Sequence, residues 1–223
     1  MVPKSLFDPI AFLEKVGKGK TVTIYKAGTV IYKQGDPANS VFYLQSGSVK
    51  ETVARARQRE KALGLLRAGH FFGTGCLDGS RVRPSTTRAM ERSVITEITA
   101  KTMKAALTEP ALNQLFIAYL LQHNSLMERE RINLLFQPHE KRLARHLAML
   151  GTATSGVPEV IGPHITQEFL ADLIGTTRQR VNYYLSKFAQ LGYIEKSRGG
   201  IVVKQALVKS LLYDDNDKEY TSE

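Results

Sequence analysis

The sequence predicts an α+β protein: an N-terminal antiparallel β-roll of the jelly-roll kind, a long helix, and a C-terminal winged helix-turn-helix. Three observations predict it. Short β-rich runs recur between Thr21 and Ala100 with glycines between them. The segment Ala111–Phe136 contains neither Gly nor Pro. Ile165–Leu191 holds two amphipathic helical patterns on either side of Gly175.

The β-rich part is read as follows. A first helix is expected over 5–16, from the spacing of Leu6, Ile10 and Leu13. Strands follow at Thr21–Tyr25, Thr29–Tyr32, Val41–Leu44, Val49–Ala54, Ala62–Leu66, Phe71-Phe72 and Val94–Ile98, separated by Gly28, Gly35-Asp36, Gly47 and Gly69. Many short strands with turn glycines indicate an antiparallel sandwich or barrel.

The remainder is helical. Lys101–Thr108 is a short helix ended at Glu109-Pro110. In the long segment, Leu120, Met127 and Leu134 lie seven apart on one stripe, with Asn124 among the seam positions. Leu112, Phe116, Tyr119 and Leu126 make a neighbouring stripe. So broad an apolar surface favours dimerisation through Leu120, Asn124, Met127 and Leu134 over packing on the roll alone. Pro138 breaks the helix, Lys141–Leu150 forms another, and Gly151–Pro163 reads as a loop. The domains expected are a sensor roll with flanking helices at 1–108, a dimerisation helix at 109–137, a winged helix-turn-helix at 138–213, and a disordered acidic tail at 214–223.

Composition narrows the partners. The 223 residues include 31 Lys and Arg against 21 Asp and Glu, for a net charge of +10. Such a surplus favours an anionic partner, but it is spread over both halves and does not locate a face. The single cysteine, Cys76, excludes an intramolecular disulfide, a cysteine-cluster zinc site and a cysteine-ligated iron–sulfur cluster within one chain. Met1–Lys20 lacks the apolar core of a secretory signal, and no run approaches a membrane span, so a cytoplasmic protein with no membrane partner is expected. No H-E-x-x-H, G-x-S-x-G or P-loop lysine motif is present, so no catalytic residue, metal site or enzyme activity is assigned. An allosteric ligand-binding module of an enzyme or channel would explain the roll but not the C-terminal part.

That part carries the strongest motif. Thr166 is placed to cap QEFLADLI, Gly175 supplies the turn, and Thr177 is placed to cap a helix that buries Val181, Leu185, Phe188 and Leu191. Arg178, Gln179, Arg180 and Tyr183 are left for other work. The N-terminal residues of such a second helix reach base edges in the major groove, where Arg bonds guanine and Gln bonds adenine through paired contacts. Thr176, Thr177 and Lys187 suit phosphates. Arg198, at the tip of the hairpin GYIEKSRGGIVV, suits the DNA backbone.

From about Gly17 to Val203 the chain resembles the cyclic-AMP receptor/Fnr superfamily of bacterial transcription regulators. The resemblance rests on AGTVIYKQGDPANSVFYLQSGSVK, FFGTGCLDGSRVRPSTTRAM, the long helix and IGTTRQRVNYYLSKFAQLGYIE, in that order and spacing. It implies a cyclic-nucleotide-binding-like roll and a homodimer that binds near-palindromic double-stranded DNA and contacts RNA polymerase. It places Arg178, Gln179 and Tyr183 at base-reading positions; where Gln179 stands the family often has an acidic residue.

The same resemblance locates an effector pocket at Gly73, Thr74, Cys76, Arg83, Pro84, Ser85, Met127 and Glu128, and marks departures there. Cyclic-AMP binders follow the cassette glycine with Glu, which takes a ribose hydroxyl; here Thr74 follows Gly73. Arg83 is kept for the phosphate, but Pro84 replaces the serine donor, with Ser85 one place over. Met127-Glu128 stands where the long helix carries a hydroxyl pair. These changes argue against ordinary cyclic-AMP sensing. A different small effector, effector-independent DNA binding, and a retained response to cyclic AMP or cyclic GMP stay open. Arg83 and Arg88 are read either as anion ligands or as solvated surface. His70 is read as a turn residue rather than a haem ligand, and Cys76 as a buried apolar side chain rather than a redox switch.

Overall fold

The computed structural model describes residues 9–56, 59–151, 160–162, 165–197, 200–204 and 206–207. The expected acidic tail, most of the Gly151–Pro163 loop and Arg198 lie outside these residues. The chain divides into two compact units, 1–130 and 131–223.

In the first unit, α1 (Pro9–Lys15) leads into β1 (Lys20–Tyr25), β2 (Val30–Tyr32), β3 (Ser40–Ser46), β4 (Ser48–Val53), β5 (Lys61–Arg67) and β6 (Phe71–Phe72). A 3₁₀ turn at Thr74–Leu77, then β7 (Thr86–Ala89) and β8 (Ser93–Thr99), complete the roll, and α2 (Ala100–Ala106) and α3 (Pro110–Phe136) follow. Two four-stranded antiparallel sheets result, in the orders β1-β8-β3-β6 and β2-β7-β4-β5. Each expected strand is present. β7, which sits inside the cassette, was not expected: its TTRA sequence holds a single apolar residue, Ala89, and its place is fixed by pairing Lys50 with Arg88 and Thr52 with Thr86.

The run Val41–Leu44 is apolar throughout because β3 is buried on both faces. Alternate side chains of a strand face opposite ways. Val41 and Tyr43 pack with Phe71 against Phe12, Met103, Leu112, Phe116 and Tyr119 of the helices. Phe42 and Leu44 face the roll interior with Tyr32, Val49, Phe72 and Ile95. Each such aromatic or aliphatic side chain contributes roughly 1.5–3 kcal/mol by leaving water. On α3 the stripe expected from Leu112 to Leu126 is covered only at Leu112, Phe116 and Tyr119; Leu126 is exposed.

In the second unit, α4 (His139–Gly151) buries Leu143, Leu147 and Leu150 on one face. β9 (Val160–Ile161), α5 (Gln167–Ile174), α6 (Arg178–Gln190), β10 (Ile194–Ser197) and β11 (Gly200–Val203) follow. The strand order is β10-β11-β9, so the stretch read as a loop contributes a two-residue strand to the wing, pairing Ile161 with Ile201. Leu191, expected inside, is 53% exposed. The helix ends one residue earlier, and a pair of bonds, Tyr193 N–H to Phe188 O at 2.9 Å and Gly192 N–H to Ala189 O at 3.1 Å, turns the chain through left-handed Gly192. Leu191 is thereby carried off the buried face, and the ring of Tyr193 lies 6.3 Å from that of Phe188 instead.

Candidate nucleic-acid interface and effector pocket

The helix-turn-helix is built by short-range rules. Thr166 accepts from Phe169 N–H at 3.1 Å, capping α5. Gly175, at φ 68°, closes that helix with Thr176 N–H to Ala171 O at 2.9 Å and its own N–H to Asp172 O at 3.2 Å. Thr177 then accepts from Arg180 N–H at 3.3 Å, so α6 starts at Arg178 with a satisfied cap. Val181, Leu185 and Phe188 anchor α6 to the core. Gln167 Nε2 donates to Asn182 Oδ1 at 3.3 Å across the two helices.

This anchoring leaves Arg178, Gln179 and Arg180 exposed at the amino end of α6, with Tyr183, 65% exposed, one turn on. No acidic side chain among the described residues pairs with Arg178 or Arg180. Thr177 is exposed as well, whereas the hydroxyl of Thr176 is buried without a hydrogen-bond partner. Lys187 is engaged within the unit: its Nζ is 2.8 Å from Glu140 Oε1, a contact that raises its pKa. On the hairpin, Ile194 pairs with Val203 and Ser197 with Gly200; Lys196 Nζ donates to Ser186 Oγ at 3.3 Å.

In the roll, the cassette residues divide between buried and exposed positions. Arg83 is 3% exposed, so the solvated-surface alternative fails for it. Its Nη1 donates to Gly73 O at 2.8 Å, and its Nη2 donates to Ser40 O at 2.7 Å and Ser40 Oγ at 3.1 Å. The guanidinium lies 4.5 Å from the Tyr32 ring centroid and 5.2 Å from that of Phe42, a cation–π arrangement on both. Ser85 is buried, whereas Pro84 is exposed. Tyr32 donates to Glu51 Oε1 at 3.4 Å. Burial pushes the Glu51 carboxyl above the usual carboxylate range, and burial together with Glu51 pushes the Tyr32 phenol up to about 12. Tyr32, Phe42 and Glu51 were not among the expected site residues. Phe42 and Tyr32 look like ordinary core in sequence, and Glu51 sits on a strand that alternates too weakly to reveal its facing.

Thr74 and Cys76 lie on the 3₁₀ turn. Cys76 belongs to the helix-side core, where its thiol donates to Ser40 O at 3.4 Å and burial raises its pKa. Met127 and Glu128 are exposed on α3, as are Leu120 and Leu134, which are 39% and 43% exposed. Asn124 is exposed beside them. Arg88 is half-buried and donates to Gly28 O at 2.7 Å.

Comparisons with known proteins divide along the same lines. Residues 22–109 match the cyclic nucleotide-binding domain family, and residues 141–206 match the Crp-like helix-turn-helix domain family. The chain is 25% identical over 188 residues to a CRP-like cAMP-activated global transcriptional regulator of Mycobacterium tuberculosis, covering 82% of this chain and 83% of that protein. It is 26% identical to the cyclic AMP receptor protein of Thermus thermophilus over 186 residues, covering 82% and 83% of the two chains. Among solved structures, a CRP/FNR-family transcriptional regulator from Thermus thermophilus superposes with a TM-score of 0.69 at 24% identity, covering 86% of this chain and 97% of that one. The c-di-GMP-responsive regulator CLP of Xanthomonas campestris does so at 0.66 and 23%, covering 87% and 98%. At these identities the structural likeness establishes the fold.

Proposed function

Because the chain belongs to the cyclic-AMP receptor/Fnr superfamily of transcription regulators, we propose that it works as a homodimer on near-palindromic double-stranded DNA, reading bases through the helix that opens at Arg178. The observation that carries this reading is the exposed, acid-free Arg178-Gln179-Arg180 end behind the Thr177 cap. Arg178 reads guanine and Gln179 reads adenine; Thr176, Thr177, Lys187 and Arg198 serve the phosphates. The dimer forms through the exposed stripe of Leu120, Met127 and Leu134 with Asn124 between. Two copies of α6 then meet half-sites roughly 34 Å apart, or a multiple of that. As in the family, RNA polymerase is the protein partner and the cytoplasm the site of action.

The effector differs from cyclic AMP, or none is required. What supports this is the state of Arg83. Its charge is spent on two backbone carbonyls and two aromatic rings, and the next residue, Pro84, has no N–H to give a phosphate. The second reading, a regulator that still answers cyclic AMP or cyclic GMP, is favoured by the retention of Arg83 beside a left-handed Gly73.

Selection of bound sequences from random DNA, with and without cyclic AMP, cyclic GMP and cyclic di-GMP, tests both. A two-fold-symmetric motif enriched equally in all arms is expected. Enrichment only with a cyclic nucleotide supports the second reading, and the absence of any motif in every arm rejects the DNA-reading role.

A further inference from the structure

The turn between β5 and β6 brings His70 against α3. Its ring centroid is 5.7 Å from that of His123, with the planes at 66°. Both side chains are half-buried. We infer that His70 and His123 form a two-histidine site for a divalent first-row transition metal, joining the turn ahead of the cassette to the long helix. This goes beyond the DNA-binding reading and does not depend on it.

His70 Nδ1 is 3.0 Å from Arg67 O. A carbonyl oxygen only accepts, so Nδ1 is the donor in that contact and Nε2 is the nitrogen left for a metal. A histidine ligand oriented by a backbone carbonyl on its other nitrogen is the usual arrangement at a metal. His123 is fixed from the other side. Its ring stacks on Tyr119 at 5.9 Å and 10°, and the Tyr119 hydroxyl in turn accepts from Phe71 N–H at 2.8 Å.

His123 Nδ1 is buried with no hydrogen-bond partner among the described residues. A buried polar atom left in that state is destabilising, and a metal would relieve it. Two imidazoles on one tetrahedral ion, each with a nitrogen about 2 Å from the metal, have centroids roughly 5–6 Å apart. The observed separation falls in that range. Imidazole suits zinc, copper and nickel, and the positions left open take water.

The test uses the full chain without DNA. Zinc chloride is titrated by calorimetry into the parent and into His70→Gln, His123→Gln and His146→Gln, the last a control on α4. One zinc per chain is expected in the parent and the control, with affinity at least tenfold weaker in each of the other two. Electron paramagnetic resonance with copper(II) should show two coupled nitrogens in the parent and one in His70→Gln, whose circular dichroism spectrum should match the parent's. Equal affinity in the parent and both site variants, or no binding at all, overturns the site.

Discussion

Arg83 Nη1 donates to the carbonyl of Gly73 at 2.8 Å, and a Cβ placed on Gly73 would stand 2.6 Å from that same nitrogen. The glycine is therefore required twice, by its φ of 66° and by the guanidinium packed over it. Gly73→Ala should destabilise the first unit by about 1–3 kcal/mol. Urea unfolding measures this; an unchanged midpoint would show that the side chain of Arg83 moves freely.

Arg178→Ala should lose about 1–3 kcal/mol of DNA affinity at one base position and relax preference there. Lys187→Ala should weaken specific and random DNA alike and flatten the salt dependence by about one unit, provided that Lys187 leaves Glu140 for a phosphate. Fluorescence anisotropy at several salt concentrations separates the two. Equal losses on both DNAs for Arg178→Ala would remove its base-reading role.

Leu120→Asp, or Met127→Asp, places a charge on the half-exposed stripe of α3 and should turn the dimer into a monomer without unfolding either unit. Sedimentation velocity reads the mass and circular dichroism the fold. A parent protein that sediments as a monomer at micromolar concentration would defeat the prediction before any variant is made.

Glu51 has its carboxyl pKa raised by burial. The folded state then holds this proton to higher pH than the unfolded state, so its contribution to stability is complete below the unfolded pKa. That contribution is lost as pH rises through the folded pKa. Glu51→Gln, which can still accept from Tyr32, should be more stable than the parent at pH 7, and the gain should shrink toward pH 4. Parallel melting curves at both pH values would contradict this.

The helix-turn-helix was legible because its determinants are local. Thr166, Gly175 and Thr177 each act within three or four residues, and α5 begins and ends, and α6 begins, where those residues direct. Strands β1 to β6 and β8 were legible for a similar reason, since their turns carry glycine. What escaped depends on distant partners. β7 exists only because β2 and β4 flank it. The burial of Arg83 is decided by carbonyls at Ser40 and Gly73 and by the rings of Tyr32 and Phe42, none of which marks itself in sequence as facing a cation. His70 read as an isolated turn residue because His123 lies 53 positions away, on an element whose rotation no local pattern determines. Leu191 was misplaced by one residue of helix, enough to swing a side chain from core to solvent.

Phe71 and Phe72 occupy a strand only two residues long, one ring packed edge-on among the helices and the other inside the roll. Neighbouring positions on a strand turn together, and a close-packed interior has no slack to absorb the movement. The strand is thus a party wall: a substitution that changes the volume beside Phe72 should disturb the packing of Phe71 against Phe116 and Tyr119.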